Sequence, residues 1–124
     1  MMIFDHGIDI NSIDPEFTLV VDVDDTILTT ENRDYANSTP NIPLIEKING
    51  LYDGGWSIFY FSARGHVSYN NDIYDVEGTV YPIMEQWMED NNVKYTRVLL
   101  GKPIAKYYID DKAILPEEFL KLNI

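Results

Sequence analysis

The chain has 124 residues, of which 45% are hydrophobic and 24% are charged, and this is the size and composition of a single soluble globular domain. It contains no cysteine, so disulfides, zinc–thiolate sites and thiol catalysis are excluded, and a cytoplasmic location is expected. Its formal net charge of −12 disfavours nucleic-acid backbones and favours divalent cations, and no apolar run approaches the roughly 20 residues that cross a membrane.

The first half of the chain predicts a strand, a polar loop, a helix and a second strand. The apolar run 17–23 is rich in β-branched residues and predicts a strand buried on both faces. A polar, turn-rich segment follows over 29–40 and predicts a loop or a small hairpin. Apolar residues at helical spacing then predict a helix over 42–52, which ends at the glycine pair 54–55. A second apolar strand is predicted over 57–61.

The second half of the chain continues the alternation of helices and strands. The polar segment 62–78 predicts a loop with some helix, and an amphipathic pattern over 79–91 predicts a full helix. Two further strands are predicted over 96–100 and 106–109, and a short helix that begins with proline over 116–122. Strands that alternate with helices predict an α/β fold with a mainly parallel sheet.

Acidic, hydroxyl and basic side chains follow four of the predicted strands. Asp22 and Asp24 end the first strand, Ser62 follows the second, Lys102 follows the third, and Asp110 with Asp111 end the fourth. The carboxyl ends of parallel strands meet at one edge of a sheet, where ligands bind. Each of these residues alone has an ordinary structural explanation, as a turn former, a helix N-cap or a surface lysine. Only the joint pattern indicates a site.

The chemistry of this set suits a phosphate group held together with Mg²⁺. Carboxylates that lie together repel each other, and a hard cation with oxygen ligands relieves the repulsion. The hydroxyl of Ser62, the backbone N–H groups that follow it and Lys102 can bind the phosphate oxygens. A carboxylate is also a competent nucleophile toward phosphorus. A turn after Asp22 would aim the carboxylates of Asp22 and Asp24 in different directions. One of the two would face phosphorus and the other would face the leaving oxygen.

Four motifs resemble those of the haloacid dehalogenase superfamily, and they occur in that family's order. The stretch VVDVDDTIL resembles the first motif, and FSAR, GKP and YYIDD are similar to the second, third and fourth. Within the superfamily, residues 30–64 and the stretch GKPIAKYYIDDKAI are most similar to the small capsular polysaccharide biosynthesis phosphatases. The resemblance implies a three-layer, Rossmann-like fold over 17–124, preceded by an N-terminal extension, residues 1–16, without an assigned role. The intervals between the motifs are too short for a separate cap domain.

The resemblance also implies a catalytic role for each motif residue. Asp22 would be the nucleophile that forms an aspartyl-phosphate, and Asp24 would protonate the leaving oxygen and then activate water. Lys102 would pair with Asp22 and with the transferring group, and Thr26 would brace the turn beside the phosphate. Superfamily members that do not hydrolyse phosphate monoesters generally lack an acid at the position of Asp24, so its presence favours phosphate-ester hydrolysis or transfer.

Binding roles follow from the same resemblance. Mg²⁺ would be held by the carboxylate of Asp22, the backbone carbonyl of Asp24 and Asp110, with Asp111 as a second ligand or water holder. Ser62 and the N–H of Ala63 would bind phosphate, with Thr26 and Lys102. Arg64 is interpreted first as a surface or ion-pair residue and second as a substrate contact.

The favoured hypothesis is a Mg²⁺-dependent phosphatase that acts on a small sugar phosphate or a related metabolite. A nucleotidase or a nucleic-acid end phosphatase is the alternative enzyme, and the negative charge disfavours the polymer version. A phosphorylatable receiver-like domain or an inactive binding module is the alternative outside catalysis, but receiver domains carry their acidic pair and lysine in a different order. An open site without a cap domain suits a bulky substrate, or a homo-oligomer in which a neighbouring subunit forms one wall.

Overall fold

The main sheet of the protein has three parallel strands in the computed structural model, which describes residues 8–64 and 80–124. In chain order the strands are β1 (Thr18–Asp22), β2 (Leu28–Thr29), β3 (Thr39–Pro40), β4 (Ser57–Phe61) and β5 (Arg97–Leu99). The order in the main sheet is β1-β4-β5, and both neighbouring pairs run parallel. β2 and β3 form a small antiparallel pair of their own. The predicted α/β class with a mainly parallel sheet is confirmed.

The helices connect these strands in the way that parallel pairing requires. They are α1 (Ile42–Asp53), α2 (Tyr81–Asp90) and α3 (Pro116–Lys121), and short 3₁₀ turns lie at Ile10–Ser12, Pro15–Phe17 and Tyr35–Asn37. α1 precedes β4 and α2 precedes β5, so each parallel pair is joined through a helix. The predicted helices over 42–52, 79–91 and 116–122 are confirmed to within two residues at each end.

The start and end of α1 show how local sequence sets an element. The side chain of Asn41 caps the helix by accepting a hydrogen bond from the amide of Leu44 at 3.4 Å, and a proline stands in the first turn. The helix ends before Gly55, which adopts a φ of 99° that is costly for other residues. Leu44 and Ile48 are among the side chains that α1 buries against the sheet.

The hydrophobic core lies on one face of the main sheet. Ile58 and Tyr60 alternate along β4 and are fully buried in the same cluster as the apolar side chains of all three described helices. Val20 belongs to the opposite face, and 66% of it is exposed. The expectation that the first strand is buried on both faces is therefore wrong for Val20, because no described helix covers that part of the second face.

The predicted fourth strand over 106–109 is also wrong. This segment has no strand in the structure, and Ile109 is 98% exposed. The hydroxyl of Tyr108 donates to the carbonyl of Pro103 at 2.6 Å, so the segment folds back locally. Aromatic and β-branched residues favour strands only where a neighbouring strand offers hydrogen bonds and packing. None of the described strands pairs with this segment.

Two predictions fall partly outside the described residues. Most of the loop over 62–78 lies there, and so does the beginning of the N-terminal extension 1–16. The described part of that extension forms two 3₁₀ turns and lines a cleft with the starts of β4 and β5. None of the helices described within 8–64 and 80–124 has the length and hydropathy of a membrane span.

Candidate active site at the carboxyl ends of the strands

A tight turn after β1 separates the two acids of the first motif. Asp22 is the last residue of the strand, and the amide of Ile27 donates to the carbonyl of Val23 at 3.1 Å to close the turn. Asp25 has a φ of 61°, a left-handed conformation that aspartate tolerates better than most residues. The turn places Asp24 outside the regular strand, so the carboxylates of Asp22 and Asp24 reach different partners.

Asp22 has a donor on each carboxylate oxygen. The ammonium of Lys102 lies 3.2 Å from Oδ1, and the hydroxyl of Thr26 donates to Oδ2 at 3.1 Å. The ammonium also lies 4.1 Å from the ring centroid of Tyr108, which is within the range of a cation–π contact. The pairing that the resemblance implied between Asp22 and Lys102 is thus present. The side chain of Asp22 remains partly open to solvent.

Asp24 is paired with a different cation, the guanidinium of Arg64. Nη2 lies 2.7 Å from Oδ1 of Asp24, and Nε donates to Oδ2 at 3.3 Å. The guanidinium stacks on Tyr35, with its central carbon 4.3 Å from the ring centroid. The two acids therefore form parallel chains of contacts, in which each carboxylate has one cation and each cation has one aromatic ring.

Ser62 follows β4, and its hydrogen bonds connect the segments that carry Lys102 and Arg64. Its amide donates to the carbonyl of Leu99 at 2.9 Å, and its carbonyl accepts from the amide of Lys102 at 3.1 Å. The hydroxyl accepts a hydrogen bond from the amide of Arg64 at 3.0 Å, and the residue is fully buried. The role of Ser62 and Ala63 in binding phosphate stays a prediction, because the hydroxyl is directed to the turn and not to solvent.

Asp110 and Asp111 are not brought into this cluster. Both are exposed, and the carboxylate of Asp110 accepts from the amide of Lys112 at 2.8 Å in a local turn. Among residues 8–64 and 80–124, no three His, Asp or Glu side chains form a group that could hold a metal ion. The position of Asp110 and Asp111 follows from the absence of the predicted fourth strand, whose end was expected to bring them to the edge of the sheet.

Two aromatic residues of the site were missed by sequence reasoning. Tyr35 stands in the 3₁₀ turn between β2 and β3, and Tyr108 stands in the irregular segment after Pro103. The sequence offers little signal for either, because both lie in irregular segments and tyrosine is abundant at nine residues. Their positions become significant only once the cations they contact are known.

Two clefts of the described surface lie away from these acids. One of about 200 Å³ is lined by the 3₁₀ turn at Ile10–Ser12 and by the starts of β4 and β5, and a second lies beside Phe17. Both are at the amino ends of the strands, whereas parallel sheets bind ligands at the carboxyl ends. The paired acids at the carboxyl ends therefore mark the candidate site.

The comparison with known proteins identifies a relative among solved structures. No protein-family model matches the chain, and no curated protein matches it. A Vibrio cholerae protein, described only as the crystal structure of an MCSG target, is 31% identical with a TM-score of 0.82. The alignment covers 86% of this chain and 89% of that one. This chain belongs to the same family as that Vibrio cholerae protein.

A second solved structure shares only the fold with this chain. It is described as a Pnkp1/Rnl/Hen1 complex, and it is 20% identical with a TM-score of 0.51. The alignment covers 85% of this chain and 34% of the other chain. Neither description assigns an activity to the family, so its function has to be argued from the residues at the strand ends.

Proposed function

We propose that this chain is a Mg²⁺-dependent phosphomonoester hydrolase with the three-layer fold of the haloacid dehalogenase superfamily. Its substrate would be a small sugar phosphate or a related metabolite. One observation supports the proposal most directly: Asp22 and Asp24 are two residues apart, yet each has its own cation, Lys102 or Arg64. Separate pairing would hold a nucleophile and a proton donor in different directions, as the mechanism below requires.

The first step would be attack by Asp22. A carboxylate oxygen forms a bond to phosphorus while the ester bond between phosphorus and the leaving oxygen breaks. Asp24, protonated before this step, transfers its proton to the leaving oxygen, so the alcohol departs neutral. The ammonium of Lys102, which already contacts the Asp22 carboxylate, would balance negative charge on the transferring group.

The second step would regenerate the carboxylate. Asp24, now ionised, takes a proton from a water molecule, and the water oxygen attacks the phosphorus of the aspartyl-phosphate. The bond between phosphorus and the oxygen of Asp22 breaks, inorganic phosphate leaves, and Asp24 is again protonated. Thr26 keeps the Asp22 carboxylate in place throughout, because its hydroxyl holds the second oxygen.

The donor set fits a sparsely held Mg²⁺. This ion is usually bound by one or two carboxylates together with waters and substrate phosphate, and it does not need a cage of protein ligands. The carboxylate of Asp22 and the backbone carbonyl of Asp24 would hold it, and Asp110 or Asp111 would join only if their segment approached the sheet. The ion would supply charge neutralisation at the phosphate oxygens. Dialysis against a chelator should abolish phosphate release, and added Mg²⁺ should restore it.

A panel of phosphate monoesters with an Asp22→Asn variant tests the proposal. We expect the wild type to release phosphate from sugar phosphates and the variant to lose about 10³-fold or more of that rate. The wild type, mixed with labelled substrate and quenched in acid, should carry phosphate that hydroxylamine removes. Asp53→Asn is the matched control, since Asp53 is exposed at the end of α1 and pairs with Lys94 at 2.7 Å.

Three results would contradict the proposal. Full activity of Asp22→Asn would exclude the covalent mechanism. Turnover of nucleotides with no sugar phosphate accepted would favour the nucleotidase. Absence of turnover of any monoester with Mg²⁺ present would favour a binding module.

A further inference from the structure

Arg64 carries its charge on a side chain that is only 5% exposed, beside a carboxylate that is 35% exposed. Two of its three side-chain nitrogens contact Asp24, and the backbone amide is taken by the Ser62 hydroxyl. A buried guanidinium is costly unless its partners are well placed. The question is whether Arg64 serves the substrate phosphate or the acid beside it.

We propose that Arg64 is a positioning residue that fixes the carboxylate of Asp24, and that Tyr35 in turn fixes the guanidinium. This inference rests on the proposed function, in which Asp24 transfers the proton. It gives Arg64 a role distinct from binding the phosphate, and it makes the segment between β2 and β3 part of the catalytic geometry.

The geometry of the pair favours positioning over phosphate binding. The planar guanidinium uses Nε and Nη2 on the two oxygens of Asp24, an arrangement that fixes the rotation of the carboxylate as well as its position. The remaining nitrogen, Nη1, is buried and has no hydrogen-bond partner among the described residues. A phosphate that contacted Nε or Nη2 would have to displace Asp24.

Tyr35 is itself held firmly enough to act as a support. Its carbonyl accepts from the hydroxyl of Ser38 at 2.9 Å, and the indole nitrogen of Trp87 donates to the carbonyl of Ser38 at 3.0 Å in a buried position. The 3₁₀ turn that carries Tyr35 is therefore tied to α2. Contact with an aromatic face attracts the guanidinium and limits its movement, so Arg64 is restrained on one side by Tyr35 and on the other by Asp24.

The decisive experiment compares two leaving groups. Expulsion of an alkyl alcohol needs a proton from Asp24, whereas p-nitrophenolate leaves readily without one. We expect Arg64→Gln to lower kcat on an alkyl phosphate by about 10²-fold and on p-nitrophenyl phosphate by less than about tenfold. The Kd of inorganic phosphate, measured by calorimetry, should change by less than about twofold, since the variant removes no phosphate ligand.

The variants and controls separate the possible outcomes. Arg64→Lys keeps the charge without the two-point contact and should show the same leaving-group dependence, which also covers failure of Arg64→Gln to fold. Tyr35→Leu should reproduce part of the effect, and Tyr35→Phe, which keeps the ring, should lose less. Arg97→Gln is the control, because Arg97 begins β5 at the other end of the sheet. Its kcat should match that of the wild type.

The inference is overturned if Arg64→Gln weakens phosphate binding by tenfold or more and lowers both rates equally. That result would make Arg64 a phosphate ligand while leaving the proposed function intact. A wild type that hydrolyses neither ester would contradict the proposed function first. In that case a double-mutant cycle of Arg64→Gln and Asp24→Asn on thermal unfolding still tests the contact, and additive shifts would refute it.

Discussion

The two ends of the candidate site differ in how firmly the fold holds them. At the exits of β1 and β4, each acid has a cation within 3.2 Å, and the neighbouring backbone amides are hydrogen bonded. In the segment that follows Pro103, the apolar side chains are largely exposed, and the hydrogen bond of Asp110 within the described residues is to its own turn. Both regions carry residues of the same four motifs, so motif sequence alone does not decide which acids come together.

Strand pairing explains the difference. Asp22 is paired in register with Phe61, so the residue after each strand, and the turn that follows, must lie side by side. Ser62 and Arg64 are carried to Asp22 and Asp24 by this ladder. Asp110 follows a segment that no described strand pairs with, so nothing in the backbone hydrogen bonding delivers it to the same edge.

The largest expected effect comes from β4, the strand that carries Ser62 to the edge of the sheet where the paired acids lie. Ile58 is fully buried in the middle of the sheet, and Ile58→Ala removes three carbon atoms from a closely packed core. We expect the free energy of unfolding to fall by about 2–5 kcal/mol, measured by urea denaturation. A loss below about 1 kcal/mol would mean that β4 does not form the centre of the core.

A smaller effect is expected where the segment between β2 and β3 is tied to α2. Trp87→Phe keeps an aromatic ring but removes the donor to the carbonyl of Ser38, which stays buried without that partner. The unfolding free energy should fall by about 1–3 kcal/mol. Met84→Leu on the same helix conserves volume and breaks no hydrogen bond, so it serves as the control. Equal stability of Trp87→Phe and wild type would remove the anchor that we assign to Tyr35.

Much of the structure at the exits of β1 and β4 could be predicted from the sequence, because nearby residues specify it. The apolar run of β4 and the capped, amphipathic pattern of α1 are specified by nearby residues, and they set where Ser62 and Asp22 stand. The choice of cation for each acid was not predictable. It depends on the turn after β1 and on side-chain directions that arise only in the folded state.

The structure of the segment after Pro103 could not be predicted, because it depends on distant parts of the fold. A run such as KYYI has strand propensity, but a strand forms only with a partner, and the partner is a property of the whole fold. The exposure of Val20 has the same origin, because it depends on what covers the second face of the sheet. Tyr35 and Tyr108 were missed because an aromatic residue in an irregular segment has no periodic signal.

Tyrosine titration gives a further contrast between buried and open regions. Burial raises the pKa of Tyr60, and burial together with nearby Glu85 raises the pKa of Tyr81 and Tyr95 above 10. The unfolded chain releases these protons first, so the native state loses stability as pH rises above about 10. In a titration followed by tyrosinate absorbance, these groups should ionise at a higher pH in the native protein than in urea-unfolded protein. A single native transition identical to the unfolded one would contradict the burial of Tyr60.

The smallest expected effect is in the exposed segment that follows Pro103. Ile109→Ala should change the unfolding free energy by less than about 0.5 kcal/mol, because the side chain is 98% exposed and has almost no packing to lose. Urea denaturation of this variant beside Ile58→Ala measures the contrast directly, with an isoleucine shortened at each position. A loss above about 2 kcal/mol at Ile109 would show that the segment packs in solution. In that event Asp110 and Asp111 would have a fixed place, and the difference between the two ends of the site would disappear.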